Sequence, residues 1–581
     1  MKHRLPLLAL LVLPFTARAL HRSPAPLAPE RALASLVPAR CAFYVEGHAL
    51  AARVERGLDD PFVRALLESD AGRALLAAAP RSPAEALAVA DAWLGAPALP
   101  ALATLIDQGV ALGVEAGTKK SVLVALGRDA EGVRRGLELV LDRIELSLGW
   151  PGALDRPQQE WSGAEVWALG EAFVARREAL LVLGTDAELV REVLALADDP
   201  AGQGLLERPL FAEAYGARPA GEGLWSWAAL EDLERVGDDG YRELRAANRS
   251  PAFQALLGPG LAALASSEAL AVSAALEEHA LALEFRGLHA AVAEPLLARP
   301  GEAPSELARP GDLAQALVRR DYAALFAHRV ELFPAEALPG FAEATTNAAL
   351  FFGGRDPGEE VLPRLSPWLR LVAREPVHAP GRVPEIALPA LALVAVLADE
   401  RDGEDWTAAF QTVVSIVNVD QAQKGQAGLR LGLEREGDVE LSVARYPAPG
   451  PTDGVDVRYN LEPALAVVGR QLVLGTHASL VHELVRELGQ RPALAPAPEV
   501  ESLVLDGRAL AAAVERNAEA MIVQKMLEEG ATRAAAEGEI RGLGLLLSGV
   551  ERAELTVDVR RPDAPVVRAR LELRAGDASA R

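Results

Sequence analysis

Four tryptophans are the residues of this chain best suited to contact a ligand directly. Trp225 and Trp227 stand two positions apart in "LWSWAAL", and Trp161 and Trp167 stand in "EWSGAEVWAL". Residues with the first spacing share one face of a strand, so their rings could stack on a sugar or line an apolar groove. The alternative is that these rings pack beneath helices as part of an ordinary sheet core. Either interpretation places the tryptophans on strands.

Other patterns match catalytic or metal-binding motifs only in part. "GVEAGTKKS" is not a P-loop, because Thr118 separates Gly117 from Lys119, and it predicts a hairpin turn instead. "HELVR" at His482 lacks the second histidine of a zinc-protease helix. "ADERDGEDW" from Ala398 lacks EF-hand spacing and predicts a solvated loop before a helix. We therefore predict no catalytic residue, no cofactor and no metal site.

Length and charge limit the class of protein. The chain has 581 residues, half of them hydrophobic, which favours two or three globular domains. Its formal net charge of −23 is spread along the sequence and repels phosphate backbones. We therefore expect no nucleic acid among its partners.

The first residues have the pattern of a secretory signal. A basic stretch, Lys2–Arg4, precedes the apolar run Leu5–Phe15, and an A-x-A site ends at Ala19. We predict a signal peptide over 1–19, cut after Ala19, then a Pro-rich linker over 20–30. This predicts a periplasmic or secreted protein.

Two further features agree with that location. The single cysteine, Cys41, lies in the strand-like "VPARCAFYV" and is expected to be a buried small hydrophobe. The longest later apolar run, "PALALVAVLA" from Pro389, is too short to cross a bilayer. We expect no transmembrane span in the mature chain.

The chain repeats itself. "LVLGTDAELVREVL" from Leu181 returns as "LVLGTHASLVHELV" from Leu472, with nine of the first twelve positions identical. "SVLVALGRD" from Ser121 likewise resembles "LALVAVLAD" from Leu391, in the same order. Two tandem copies of one domain are therefore predicted.

A strand, an acidic residue and a leucine four positions later form a smaller recurring pattern. Glu46, Asp321 and Asp506 are the acidic residues, and we expect their carboxylates to cap helices.

In the repeated line, Gly184 and Thr185 are the predicted turn and cap, and Leu189, Val190 and Val193 the buried helix face. The copies differ at Asp186 against His477 and at Arg191 against His482, positions that we expect to be exposed.

Alternating runs broken by glycine predict hairpins, and sequential hairpins predict an antiparallel sheet. The expected fold class is α+β, with two tandem copies of a mainly antiparallel sheet covered by helices. The predicted boundaries are a first domain over 31–288, a Pro-rich linker over 289–311, a second domain over 312–574 with an insertion near 353–387, and a tail over 575–581.

Four stretches, "LVPARCAFYVEG", "LVLGTDAELV", "FFGGRD" and "NVDQAQKGQ", carry a family resemblance. Together they resemble a family of large secreted bacterial proteins classed as a domain of unknown function. The resemblance implies an envelope or extracellular location and supplies no functional residues.

Three classes of function stay open. The sequence favours a secreted or periplasmic non-catalytic protein, structural or interaction-mediating, with an envelope protein as partner. The first alternative is a carrier of a lipid or other hydrophobic ligand in the envelope, because a sheet capped by helices can enclose an apolar groove. The second alternative is a hydrolase whose site residues form no recognisable motif.

Overall fold

The structure is a computed structural model. It describes residues 32–50, 83–118, 120–150, 154–199, 202–219, 223–235, 262–277, 280–290, 301–307, 311–384, 386–447, 458–490, 498–558 and 563–574, with single residues between some of these stretches. The predicted signal peptide, the linker over 20–30 and the tail from 575 lie outside the described residues.

The chain divides into two compact units. The first contains Met1–Leu244, Ser267–Ala290 and Arg568–Arg581, and the second contains Arg245–Ser266 and Ala291–Val567.

Strands and helices alternate in the first unit. Its strands are β1 Cys41–Gly47, β2 Gly109–Glu115, β3 Ser121–Leu126, β4 Gln159–Trp161, β5 Ala164–Leu169, β6 Ala172–Arg177, β7 Leu180–Gly184, β8 Leu224–Ala229, β9 Ala269–Glu277 and β10 Ala280–Leu288. Its helices are α1 Pro83–Leu94, α2 Ala98–Ile106, α3 Ala130–Leu148, α4 Ala187–Asp198, α5 Pro209–Gly216 and α6 Leu230–Arg235.

The second unit has the same kinds of element. Its strands are β11 Ala314–Arg319, β12 Leu365–Arg374, β13 Ala390–Leu397, β14 Arg430–Glu436, β15 Val439–Arg445, β16 Ala464–Val468, β17 Gln471–Gly475, β18 Val500–Asp506 and β19 Val550–Asp558. Its helices are α7 Tyr322–Ala327, α8 Arg329–Leu332, α9 Leu338–Phe351, α10 Asp402–Gln423, α11 Ala478–Gln490, α12 Gly507–Glu529 and α13 Arg533–Gly549. The last strand, β20 Val566–Leu573, pairs with β10, and its residues from Arg568 belong to the first unit.

Both units order their strands in the same way. The first unit has the order β9-β8-β1-β2-β3-β7-β6-β5-β4, and all these ladders are antiparallel. The second has the order β19-β18-β11-β12-β13-β17-β16-β15-β14, again antiparallel throughout. The fold is therefore α+β with mainly antiparallel strands. The shared order agrees with two tandem copies, and the duplication itself stays a prediction.

The repeated line occupies the same place in each unit. In the first, Gly184 ends β7 opposite Val122 of β3, and in the second Gly475 ends β17 opposite Ala392 of β13. The helix that follows buries the predicted face, since Leu189, Val190 and Val193 have no exposed surface. Both the turn and the buried face are confirmed.

The predicted cap at Thr185 is wrong. Asp186 caps α4 by accepting hydrogen bonds from the backbone N–H groups of Glu188 and Leu189, at 3.0 and 3.2 Å. Thr185 instead joins two strands, because its hydroxyl oxygen accepts from the N–H of Ser121 at 2.9 Å. The carboxylate reaches the amides of the first helical turn one residue later than expected.

Residues that differ between the two copies are less exposed than predicted. His477, the counterpart of Asp186, is 2% exposed, and His482 is half-buried between Glu434 and Glu436. Arg191 is exposed as expected. Burial at His477 has chemical consequences, because an imidazole in that position must find local hydrogen-bond partners.

Hairpin predictions agree with the structure. Gly163 and Gly437 lie in the turns of β4–β5 and β14–β15 and have φ of 70° and 61°, the left-handed region that such turns require. The "GVEAGTKKS" stretch forms the β2–β3 turn. Cys41 is fully buried at the start of β1, and burial raises the pKa of its thiol to about 12.

The predicted insertion and the predicted Pro-rich linker both contribute to the folded second unit. The range 353–387 includes β12, a strand paired on both sides, and the irregular part between β12 and β13 is 375–389. Within the predicted linker, Ala303, Ser305 and Leu307 are buried, and Leu307 belongs to the core of the second unit.

No single helix among the described residues is long and apolar enough to cross a membrane. One bent pair, Ala86–Leu94 with Ala98–Ile106 at 82°, meets the length and composition criteria together.

Candidate functional site

Trp225 and Trp227 lie inside the first unit. They are 5% and 1% exposed, and the ring of Phe211 lies 5.6 and 5.1 Å from theirs, centroid to centroid. Both belong to the core that also contains Leu189 of α4. This placement supports the packing interpretation for these two rings.

Trp161 and Trp167 pack against different cores, Trp161 at the margin of the core that contains Trp225 and Trp227, and Trp167 within a second core. Trp167 belongs to the core beneath α3, where its indole N–H donates to the carbonyl of Leu154 at 3.0 Å. Trp161 is half-buried against Phe173, and the guanidinium of Arg191 lies 4.2 Å from its ring centroid. The four tryptophans form no common surface in the described structure, and a ligand-facing role for them stays a prediction.

Two of the three recurring carboxylates cap helices as predicted. Asp321 accepts from the N–H of Ala324 at 3.0 Å, and Asp506 accepts from the N–H of Ala509 at 2.8 Å. Each carboxylate satisfies an amide that the helix leaves unpaired.

Glu46 has a different environment. Its carboxylate accepts hydrogen bonds from the hydroxyls of Tyr44 and Tyr215, at 2.8 and 3.2 Å, and Arg218 lies 3.8 Å away. Burial, and then the charge of Glu46, raises the pKa of both phenols. The group is a buried polar network rather than a reactive site, because both hydroxyls stay protonated and engaged.

In the second unit, two histidines and a serine meet where loop 375–389 reaches the start of α11. Nδ1 of His477 accepts from the N–H of Ser479 at 3.3 Å and lies 2.8 Å from its hydroxyl. That hydroxyl also accepts from the N–H of Val377 at 3.1 Å. The ring of His378 meets that of His477 edge to face, at 5.1 Å between centroids.

Burial lowers the pKa of His477 to about 4 and also lowers the pKa of His378. The charge of Glu462 opposes both shifts, and this carboxylate is itself bound to Arg445 and Arg382. The two imidazoles are therefore neutral at pH 7.

A serine hydroxyl beside an imidazole is the first half of a nucleophilic site. Here, however, Nδ1 of His477 also accepts an amide at the start of α11, and the oxygen of Ser479 accepts an amide of the loop. The first bond caps α11, as Asp186 caps α4, and the second holds loop 375–389 against the start of α11. Among the described residues, no group of three or more His, Cys, Asp or Glu side chains could hold a metal ion.

A row of apolar side chains crosses the sheet of the second unit. The row runs between paired residues of β13, β12, β11, β18 and β19. We call it the leucine face, and its members are Leu393, Leu371, Ala316, Leu503 and Leu555, with Leu391 next to Leu393 on the same side of β13.

Helices cover this side of the sheet only in part. Phe410 and Val414 of α10 pack on the continuation of the row over β16 and β17, where Leu465 is buried. On the central strands, however, Leu371 is 44% exposed and Leu391 is 54% exposed. The leucine face is therefore an apolar surface on the central strands of the sheet, and the helices of the second unit cover it only in part.

Other elements border the leucine face. Gly260 lies so close to Val557 on β19 that a Cβ there would meet its Cγ1 at 2.2 Å. At the other end, loop 375–389 joins β12 to β13 and exposes Val377 and Leu388. On the side of β16 and β17, α10 borders the surface.

Sequence analysis did not find this surface, although a signal was present. Strand β13 reads "ALALVAVL", apolar at every position, and such runs are typical of strands buried on both faces. One face of β13 is buried, with Ala392 and Val394 in the core beneath α11. The other face carries Leu391 and Leu393.

Comparisons with known proteins give no family. No family model matches the chain, and no curated protein matches it. Solved structures that resemble it include crystal forms I, III and IV of TP0453, each 10% identical in sequence. Their TM-scores are 0.25, 0.23 and 0.23, and the alignments cover 46%, 47% and 44% of this chain and 87%, 89% and 80% of those chains. A likeness of this size supports no conclusion about fold or function.

Proposed function

We propose that the protein is a non-catalytic binding protein of the cell envelope that carries an extended apolar ligand, such as an acyl chain, on the leucine face. The envelope location rests on the signal-peptide pattern at the amino terminus. The ligand class rests on the leucine face itself.

The observation that carries the proposal is the exposure of Leu371 and Leu391 on central strands. Fully burying a leucine contributes about 1.5–3 kcal/mol, so a ligand that covers both side chains gains a sizeable part of that free energy. The two leucines lie on adjacent strands, and exposed apolar side chains grouped in this way typically mark a binding site.

The shape of the surface favours an extended ligand. Neighbouring strands lie about 4.8 Å apart, so the row from Leu393 to Leu555, over five strands, is about 19 Å long. A chain of methylene groups fits such a row, whereas a compact polar ligand would leave the leucines uncovered. The net charge of −23 disfavours binding to an anionic membrane surface, so we propose a single lipid chain rather than a bilayer as the occupant.

The hydrolase alternative has less support. Its best candidate pair, Ser479 and His477, is occupied in capping α11 and fastening loop 375–389. The carrier interpretation needs no reactive group.

Titration of the purified chain with a fluorescent fatty acid tests the proposal. We expect saturable binding, and we expect the double variant Leu371→Gln with Leu391→Gln to lose about thirtyfold in affinity, because each change removes roughly 1 kcal/mol of apolar contact. Both side chains are half-exposed, so the double variant should keep its fold.

The matched control is Leu433→Gln. Leu433 lies on the edge strand β14 and is 62% exposed, but it is far along the sheet from the leucine face. Its affinity should equal that of the wild type. Unchanged affinity in the double variant, or the absence of saturable binding, contradicts the proposal.

A further inference from the structure

Two arginines of the second unit lie on the side of the sheet opposite the leucine face. Arg319 of β11 pairs with Trp368 of β12, and Arg370 of β12 pairs with Leu317 of β11. The two arginines are therefore diagonal neighbours on adjacent strands and share one face.

Neither guanidinium is fully satisfied by protein. The Nε atoms of Arg319 and Arg370 are inaccessible to solvent and have no hydrogen-bond partner in the part of the chain that the structure describes. Arg370 is 7% exposed, and its one side-chain hydrogen bond shown there is a long contact, 3.4 Å, from Nη2 to the carbonyl of Pro304. Burial lowers the pKa of both arginines. A buried cation left in this state normally has an anion beside it.

The nearby carboxylates do not supply that anion directly. Glu501 and Asp321 act on Arg319 through their charge, and Glu306 acts on Arg370 in the same way. Glu501 forms its ion pair with a different residue, Arg320, at 2.8 Å.

The first unit fills the equivalent region with aromatic rings. There Tyr44 lies on β1, the strand in the place of β11, and packs against Trp225 and against Phe211 of α5. Between α4 and β8 the first unit has residues 199–223, which include α5. The second unit has residues 491–499 between α11 and β18, a much shorter connection. In this region the second unit therefore has a shorter connection than the first, and it has arginines where the first unit has aromatic rings.

We propose that Arg319 and Arg370 form a binding site for a phosphate group, either free phosphate or a phosphate monoester. The fork of N–H donors on a guanidinium matches the oxygens of a tetrahedral oxyanion, and charge-assisted bonds of this kind are strong. Ser502 of β18 lies in the same cross-strand row as Arg370 and Leu317 and places a hydroxyl on the same face. The site is separate from the leucine face and does not depend on it.

Isothermal titration of the full chain with sodium phosphate, at an ionic strength held constant with sodium chloride, tests the site. A second titration uses glycerol 3-phosphate. Preference for inorganic phosphate identifies the free ion as the ligand, and preference for glycerol 3-phosphate identifies a monoester. Either result supports the site.

The decisive variant is Arg319→Gln, because Arg319 is half-buried and easier to replace without loss of the fold than Arg370, which is 7% exposed. We expect it to lose about tenfold or more in phosphate affinity, since it removes charge-assisted bonds to the anion. The matched control is Arg435→Gln, on the edge strand β14 with a side chain that is 77% exposed, which should bind as the wild type does.

Circular dichroism spectra establish that both variants are folded. If phosphate binds Arg319→Gln as tightly as the wild type, or if neither phosphate compound gives heat beyond that of chloride, the proposed site is overturned.

Discussion

At the scale of single residues, Asp186 and His477 occupy equivalent positions in the two units, and each caps the helix that follows with a different chemical group. Asp186 caps α4 with a carboxylate, and His477 caps α11 with the unprotonated Nδ1 of a buried imidazole. A carboxylate performs this task at any pH above its own pKa. An imidazole performs it only while neutral.

The buried imidazole makes the stability of the protein sensitive to acid. The pKa of His477 is about 4 in the folded chain, where burial is the largest cause, against about 6.5 in an unfolded chain. The folded state binds a proton at His477 less readily than the unfolded state does. The stability that neutral His477 contributes is therefore fully present above about pH 6.5 and is lost as the pH falls towards 4. The free energy of unfolding should fall by about 3 kcal/mol over this window on account of His477.

Urea unfolding at pH 7 and pH 4.5 checks this expectation. His477→Asn keeps an acceptor at the cap and removes the titration, so its loss of stability between the two pH values should be smaller by most of that amount. His328→Asn is the matched control, because the side chain of His328 is 43% exposed and contacts only Glu331 among the carboxylates shown beside it. Equal pH dependence in the wild type and His477→Asn would show that His477 titrates normally.

The sequence could not reveal this role. In the repeated line, Asp186 and His477 differ while their neighbours agree, a pattern that ordinarily marks an exposed position. Burial of His477 depends on loop 375–389, which comes from a distant part of the chain and places His378 against His477 and Val377 against Ser479. Such long-range contacts leave no periodic signal.

At the scale of elements, each unit fastens the end of a strand with a threonine. Thr185 accepts from the N–H of Ser121 at 2.9 Å, and Thr476 accepts from the N–H of Leu391 at 2.9 Å. The backbone N–H of each threonine donates back to the carbonyl of the same residue, at 3.0 and 2.8 Å. The threonine that both copies of the repeated line share therefore links the ends of two strands in each unit.

Thr476→Val should destabilise the protein by about 1–2 kcal/mol, because it leaves the N–H of Leu391 without its acceptor at nearly constant side-chain volume. Chemical denaturation measures the difference. Thr412→Val, at a half-buried position of α10 where the hydroxyl donates to the carbonyl of Ala408 one turn earlier, should cost much less. If Thr476→Val loses no more unfolding free energy than Thr412→Val, the hydroxyl of Thr476 does not stabilise the link between the two strands.

Hairpins and amphipathic helices could be predicted well because their signals are local. Gly163 and Gly437 occupy turns with positive φ, and Leu189, Val190 and Val193 follow helical periodicity. The leucine face could not be predicted in this way. Its residues come from five strands separated in sequence, and only the pairing of those strands makes them neighbours.

At the scale of the whole molecule, the two units share a strand order but differ in what they leave open. In the first unit, Leu183 of β7, Leu123 of β3 and Leu112 of β2 form a row equivalent to the leucine face, and only Leu183 of the three is largely exposed, at 39%. In the second unit, two central leucines exceed that exposure. One scaffold therefore supports an apolar surface that is more open in one unit than in the other, and we place the binding function in the second.

Photo-crosslinking with a diazirine-labelled fatty acid, followed by peptide mass spectrometry, tests this assignment most directly. We predict saturable labelling concentrated in Leu365–Arg374 and Ala390–Leu397, the strands that carry Leu371 and Leu391. Excess unlabelled fatty acid should suppress it. Labelling spread over exposed apolar residues elsewhere, such as Leu527 of α12 and Leu545 of α13, or labelling that does not saturate, would contradict a ligand site on the leucine face.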